Sequence, residues 1–513
     1  MPEPTISSSQ RQYSRPLDVH RWSDNPEVNT FVRTIWTAYV EAAFPLNGSV
    51  GKRPKASVFR QFKVILLDFY IAWLEDPELL IAIPQTKSAY RTNSRYNKLY
   101  LSSKVIEISN ALVKMALLKK RTGSELSGMT SRFWPTKKLV KHFEEAKFSY
   151  FEIGRISEQE TVILNPARNQ DRDKGKALEY KDSDFPSITA MRSELGAYNR
   201  LLHSSFIDIG SLEQPWVERN FFDQRNKIWR IQRVRVGHPN KFVRRIFYRG
   251  NWNMGGRFHG GFWQLIDAEL RKEILINDEP TIEQDFSGLH VNLCYGLKKI
   301  ACPLDDPYAL DPVLGNDPII QRAWVKTLAL TALNADSEAS AFKAFRHQMV
   351  ERFKKEKNRE AAQLGKALKD KQLNRLLKAF KEKHSQIEDM ICSDQGVKLM
   401  NIDGNITAKI IKHFTKKQVP ILSVHDSYIT PFNRTGELQK VMKQAISDEL
   451  GGFKVAIKQE GIGIDQIQAF INMDRYNFDA LSPYKSVKSS KRSSGYELRK
   501  EKFYEWLNQL KEL

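Results

Sequence analysis

Residues 281–296 read TIEQDFSGLHVNLCYG. Thr281, Ile282, Glu283 and Gln284 alternate up to Asp285, and an apolar, helix-like pattern follows. This predicts a strand that delivers a carboxylate to its end, then a helix. Residues 420–431, PILSVHDSYITP, repeat the device at a hairpin. Ile421, Leu422 and Val424 lead in, Tyr428 and Ile429 lead out, and His425-Asp426 sits at the turn. Two carboxylates held this rigidly suit a pair of divalent ions, which two-metal sites keep ~4 Å apart to steady the attacking and leaving oxygens of an in-line displacement. Magnesium fits such a site because it takes oxygen ligands and completes its shell from substrate phosphates.

Between the two carboxylates lie residues 321–335, QRAWVKTLALTALNA. Arg322 and Lys326 are four apart and share one helix face, which Leu330 and Asn334 continue. Two cations one turn apart suit a triphosphate, the Arg as a fork and the Lys as a point charge. Leu328, Ala329, Ala332 and Leu333 make the apolar side.

In chain order, carboxylate strand, cationic helix and His-Asp hairpin resemble motifs A, B and C of the family A DNA polymerases and the single-subunit phage-type RNA polymerases. His425-Asp426-Ser427-Tyr428 is similar to the HDSF of the RNA polymerases. The pattern R-x3-K-x4-T-x2-N-A is similar to their R-x3-K-x4-T-x2-Y-G, with Asn334 and Ala335 as departures. Asn253-Met254-Gly255-Gly256-Arg257 resembles their D-x2-G-R element, with Asn253 in place of the Asp. The resemblance spans residues from about 240 to about 465.

The resemblance implies an α+β right-hand polymerase of palm, fingers and thumb, with a mostly helical N-terminal region. It assigns catalysis and two magnesium ions, with manganese as an alternative, to Asp285 and Asp426. Nucleotide binding falls to Arg322, Lys326, Leu330, Asn334, His290 and Phe286, and nucleic-acid contacts to Arg257, His259 and His425. His290 holds the place where family A DNA polymerases carry a Glu that blocks a ribose 2′-OH. With Asn334-Ala335, this points to ribonucleotides. The implied activity is template-directed nucleotidyl transfer, as DNA-dependent RNA synthesis or priming. The alternatives are a DNA polymerase without proofreading and a non-catalytic nucleic-acid-binding replication protein. The implied partners are a DNA template, nucleoside triphosphates and an RNA or DNA product strand.

Bulk composition agrees. The chain has 513 residues and a formal charge of +21, from 81 basic and 60 acidic residues. A surplus of that size implies a polyanionic partner but carries no base specificity. No apolar run is long enough to span a bilayer, and the N-terminal MPEPTISSSQRQ lacks a signal-peptide core, so a cytoplasmic location without membrane contact is expected. Cys294, Cys302 and Cys392 form no CxxC pair, which argues against a zinc site or disulfide framework.

Along the chain, the pattern predicts helices over 28–47, 57–83, 103–120, 187–203, 396–416 and 434–450, and long helices within 340–390. Strands are expected at 229–236, 244–249 and 453–457, and a hairpin over 271–287 turning at 277–280. The glycine-rich 250–261 reads as a close approach to a nucleic-acid backbone. Asp306-Pro307-Tyr308 reads as a turn or as a D-x-Y element that precedes motif B in some relatives. Asp403 reads as a surface or capping residue beside Gly404, with a third carboxylate of the site as the alternative. The expected divisions are a helical region 1–165, a boundary region 166–240, palm 241–318, fingers 319–416, palm 417–482, and a basic linker with a C-terminal helix over 483–513, which docks on the body or on a protein partner.

Overall fold

The computed structural model describes residues 14–44, 56–123, 130–167, 177–223, 228–303, 306–355, 360–461, 463–466 and 491–512. Two compact units result. One comprises residues 1–160, 214–239 and 498–513, the other 161–213 and 240–497. Both mix helix and sheet, so the chain is α+β. No helix among the described residues is long and apolar enough to cross a membrane.

The smaller unit is less helical than its sequence suggests. The helix expected over 57–83 is Ala56–Glu75, and residues Leu80–Ala82 form a strand instead. The helix expected over 103–120 stops at Lys114, because Ala116 takes a left-handed backbone (φ 55°) and turns the chain into the strand Leu118–Arg121. These strands join Ser14–Pro16 and Arg132–Pro135 in a four-stranded sheet. Helix Ala56–Glu75 is buried almost all round. Its Asp68, fully buried, is held by the guanidinium groups of Arg15 and Arg21. The strands Trp216–Asp223 and Ile228–Arg235 pair as a separate hairpin. Phe503 and Trp506 of the C-terminal helix pack on Phe151 and His238, so that face is spent within the unit rather than offered to a partner.

In the larger unit, the strands in chain order are β1 (Val162–Leu164), β2 (Ile207–Ile209), β3 (Val243–Tyr248), β4 (Asn251–Gly260), β5 (Ile274–Ile276), β6 (Glu279–Phe286), β7 (Leu422–Val424), β8 (Ser427–Pro431) and β9 (Ile457–Gln459). The helices, apart from the single turn Ala268–Arg271, are α1 (Ile188–His203), α2 (Leu289–Leu297), α3 (Pro318–Asn334), α4 (Glu338–Lys355), α5 (Glu360–Gly365), α6 (Asp370–Lys383), α7 (Gly396–Lys416) and α8 (Thr435–Glu449). The main sheet runs β7-β8-β6-β5-β2, with β9 also paired to β6, and every pairing is antiparallel.

Its two hairpins are tight. Asn277 and Asp278 both have positive φ (52° and 66°), the two-residue turn whose twist matches the flanking strands, so Glu279 and Pro280 belong to β6 and not to the turn. Between β7 and β8 only His425 and Asp426 remain unpaired, with Val424 opposite Ser427. The strand expected at 453–457 begins only at Ile457.

The glycine-rich segment is also a strand. β4 pairs with β3 through irregular register around Phe247, and β3 pairs in parallel with β1. Its glycines serve packing rather than an open loop. A Cβ on Gly404 of α7 would lie 2.3 Å from the Gly256 carbonyl oxygen. Glycine at both positions lets helix and strand touch backbone to backbone. The expected linker 483–495 lies outside the described residues up to 490.

Candidate active site

Strand register brings the two carboxylates of the sequence together. Asp285 is opposite Ser427, so Asp426 is its diagonal neighbour, and the Phe286 amide points to the Asp426 carbonyl at 3.5 Å. Neither carboxylate makes an ion pair or side-chain hydrogen bond among the described residues. The Asp285 side chain reaches solvent. Even so, the surrounding protein and then Asp426 push its pKa up to about 7, against the pull of Lys326. Two adjoining carboxylates without a protein cation bonded to either among the described residues are the donor chemistry for a hard divalent cation. Among the described residues no cluster of three or more His, Cys, Asp or Glu side chains is arranged to hold a metal, so an ion here would draw its other ligands from water or substrate.

A brace holds the hairpin beside this pair. Glu283, on the same face of β6 two residues before Asp285, accepts from Ser427 Oγ and from Arg271, whose Nε lies 2.9 Å away. His425 sits exposed at the turn in a left-handed conformation (φ 58°), a position that costs a non-glycine residue ~1 kcal/mol or more. Its ring meets that of His259 edge-on, with centroids 6.3 Å apart. Burial lowers the pKa of both, His259 to about 4, so both are neutral near pH 7.

Helix α3 carries its cations as the spacing predicts. Asp317 caps its N-terminus and Pro318 opens it. Arg322, Lys326, Leu330 and Asn334 lie along its half-buried to exposed face, with Asn334 bonded to the Leu330 carbonyl at 2.7 Å. Lys326 makes no ion pair among the described residues, and its charge is felt at Asp285. Arg322 is not free. Nε and Nη2 grip both oxygens of Asp306. That hydrogen bonding raises the Arg322 pKa, and against its partial burial the Asp306 carboxyl is held below its usual value.

Asp306-Pro307-Tyr308 is therefore part of the site and not a simple turn. Tyr308 is 4% exposed beneath the two cations, with Arg322 Cζ 6.0 Å and Lys326 Nζ 5.9 Å from its ring. Buried His384 fixes the segment: it contacts the Pro307 carbonyl at 2.8 Å and the Tyr295 hydroxyl at 2.9 Å. Gly288, in a left-handed conformation at the start of α2, leaves room for Pro307, which a Cβ would approach to 2.6 Å.

The other predicted residues fall differently. Phe286 is 1% exposed and packs edge-to-face on Tyr428. It follows Asp285 on a strand, so it points to the opposite face, into the core and away from any nucleotide. His290 and Arg257 do not line an open surface either. Arg257 Nη2 donates to His290 Nε2 at 2.8 Å, and its Nε pairs with Asp403. Asp403 is fully buried, not at the surface, because the Gly404–Gly256 contact draws it against β4. Burial raises its pKa to about 7, against Arg257, and lowers that of His290 to about 3. Arg257 is thus a half-buried tether between β4, α2 and α7.

No family model matches the chain, and no curated protein matches it. Among solved structures, it is similar to the POL domain of Pol1 from M. smegmatis in complex with DNA primer-template and dNTP, at 10% identity and a TM-score of 0.25. The match takes in 44% of this chain and 47% of that one, so the chain spans about half the length of the protein it matches. A likeness at that score carries no weight for fold or function.

Proposed function

We propose that the chain is a template-directed nucleotidyltransferase of the right-hand polymerase kind. The main sheet is its palm, the α3–α6 region its fingers, and the N-terminal region its thumb. One observation carries this reading: Asp285 and Asp426 adjoin as open carboxylates at the ends of paired strands, with Lys326 of α3 in electrostatic reach. Asp285 and Asp426 would hold magnesium, which would supply neutralisation of phosphate charge and a lowered pKa for a 3′-hydroxyl, favouring its alkoxide. Lys326 and the guanidinium edge of Arg322 left over by Asp306 hold the triphosphate. The 3′-oxygen bonds to the α-phosphorus, the bond to the β-phosphate oxygen breaks, and pyrophosphate leaves. The template is DNA. The absence of an acid at His290, which is turned toward Arg257, favours acceptance of ribonucleotides.

Extension of single-stranded DNA templates, with and without primer, using ribo- or deoxynucleotides and magnesium, tests the reading. Wild type extends, with ribonucleotides used, and Asp285→Ala abolishes product. Extension that survives Asp285→Ala refutes the two-metal assignment. Exclusive use of deoxynucleotides favours a DNA polymerase, and binding without extension favours a non-catalytic replication protein.

A further inference from the structure

We infer that Lys458 is a third cation of the site, placed to bind the polyphosphate of an incoming nucleotide. This rests on the reading just given. Lys458 lies on β9, opposite Asp285 in the β6–β9 register. Residues directly opposite across antiparallel strands share a face, with Cβ atoms roughly 5 Å apart. Asp285 therefore has Ser427 on one flank and Lys458 on the other, all on one face of the sheet.

The lysine is exposed and makes no ion pair among the described residues, whereas nearby Glu460 is bonded to Lys272. Its charge reaches two acids at once, Asp285 and Asp306. Asp285 also feels Lys326, and Asp306 grips Arg322. The three cations thus all act on one or both of two acids, Asp285 and Asp306. A triphosphate carries several negative charges in a chain, and a set of separate cations matches it better than a single phosphodiester. Nothing local marks Lys458 in the sequence. Only the pairing of two strands distant in sequence, residue 285 with residue 458, brings it to the site.

Nucleoside triphosphate and inorganic pyrophosphate binding to the full chain, measured by titration calorimetry with magnesium, reads this directly. Lys458→Ala weakens both by about tenfold, as expected for loss of a charge-assisted contact, and Lys458→Arg restores most of it. Binding of a primed template, measured in parallel, stays within twofold of wild type. Unchanged triphosphate affinity in Lys458→Ala overturns the assignment. So does a loss confined to the primed template, which would place the lysine on a strand phosphate. Loss of the Lys458 effect while wild type still extends templates removes this inference alone. A wild type that binds no triphosphate overturns both readings.

Discussion

The Asp285 carboxyl holds its proton to about pH 7, so a cation competes with that proton for the same oxygens. Magnesium affinity is expected to fall up to about tenfold per pH unit below 7. Calorimetric titration between pH 5.5 and 8 checks this, and Asp285→Asn removes the dependence. Asp403 titrates in the same range for a different reason, full burial beside one arginine. Its folded-state pKa is raised from 3.8 to about 7, so its contribution to stability is complete below about pH 4 and is lost as pH rises to 7. The stability advantage of wild type over Asp403→Asn should therefore shrink across that window in urea unfolding. Buried His259 and His290 act in the opposite sense, but they are common to both proteins. Asp285, Asp426, Arg322 and Lys326 were legible because local alternation and helical spacing mark them. Asp403 and Lys458 were not, since burial of the one and placement of the other come from contacts distant in sequence. Phe286 was misread because nucleotide contact was assigned to it by motif, while the two-residue period of its strand turns it inward.

Among elements, α7 and both hairpins follow their patterns closely, because strong periodicity or a two-residue turn defines them. The failures differ in cause. Leu80–Ala82 pairs with strands far along the chain, at 14–16 and 132–133, so no local pattern announces it, whereas 118–121 and 251–260 pair with the nearby 132–135 and 243–248 and were hidden by a helix-like run and by glycines. Gly256 of β4 adds a distant contact, since a helix nearly 150 residues later packs against it, while Gly255 and Gly260 meet Tyr248 and Phe242 close by. Gly404→Ala pushes α7 off β4 and should cost roughly 1–3 kcal/mol by urea denaturation. It should also separate Asp403 from Arg257. Gly288→Ala combines a left-handed backbone with a clash against Pro307. Its expected signature is an order-of-magnitude rise in KM for nucleotide, since Arg322 loses the fixed Asp306 that orients it, with little change in template affinity.

For the whole molecule, the surplus of +21 predicts a salt-sensitive grip on nucleic acid. If about six phosphates are contacted on a single strand, affinity should fall roughly 10²–10³-fold between 50 and 200 mM salt. Filter binding of single-stranded DNA across that range checks it; a flat response would mean that the charge serves solubility alone. The two-unit division was only partly legible, because the sequence suggests cuts near charged loops while the folded chain returns residues 214–239 and 498–513 to the first unit. The His425-Asp426 turn sets one last constraint. Two strands joined by two residues have no slack, so a single insertion or deletion between Val424 and Ser427 would invert β8, expelling the wholly buried Tyr428 into water and swinging the acid to the wrong side. Descendants of this chain can exchange His425 at that corner, but they can neither lose its acid nor change its length.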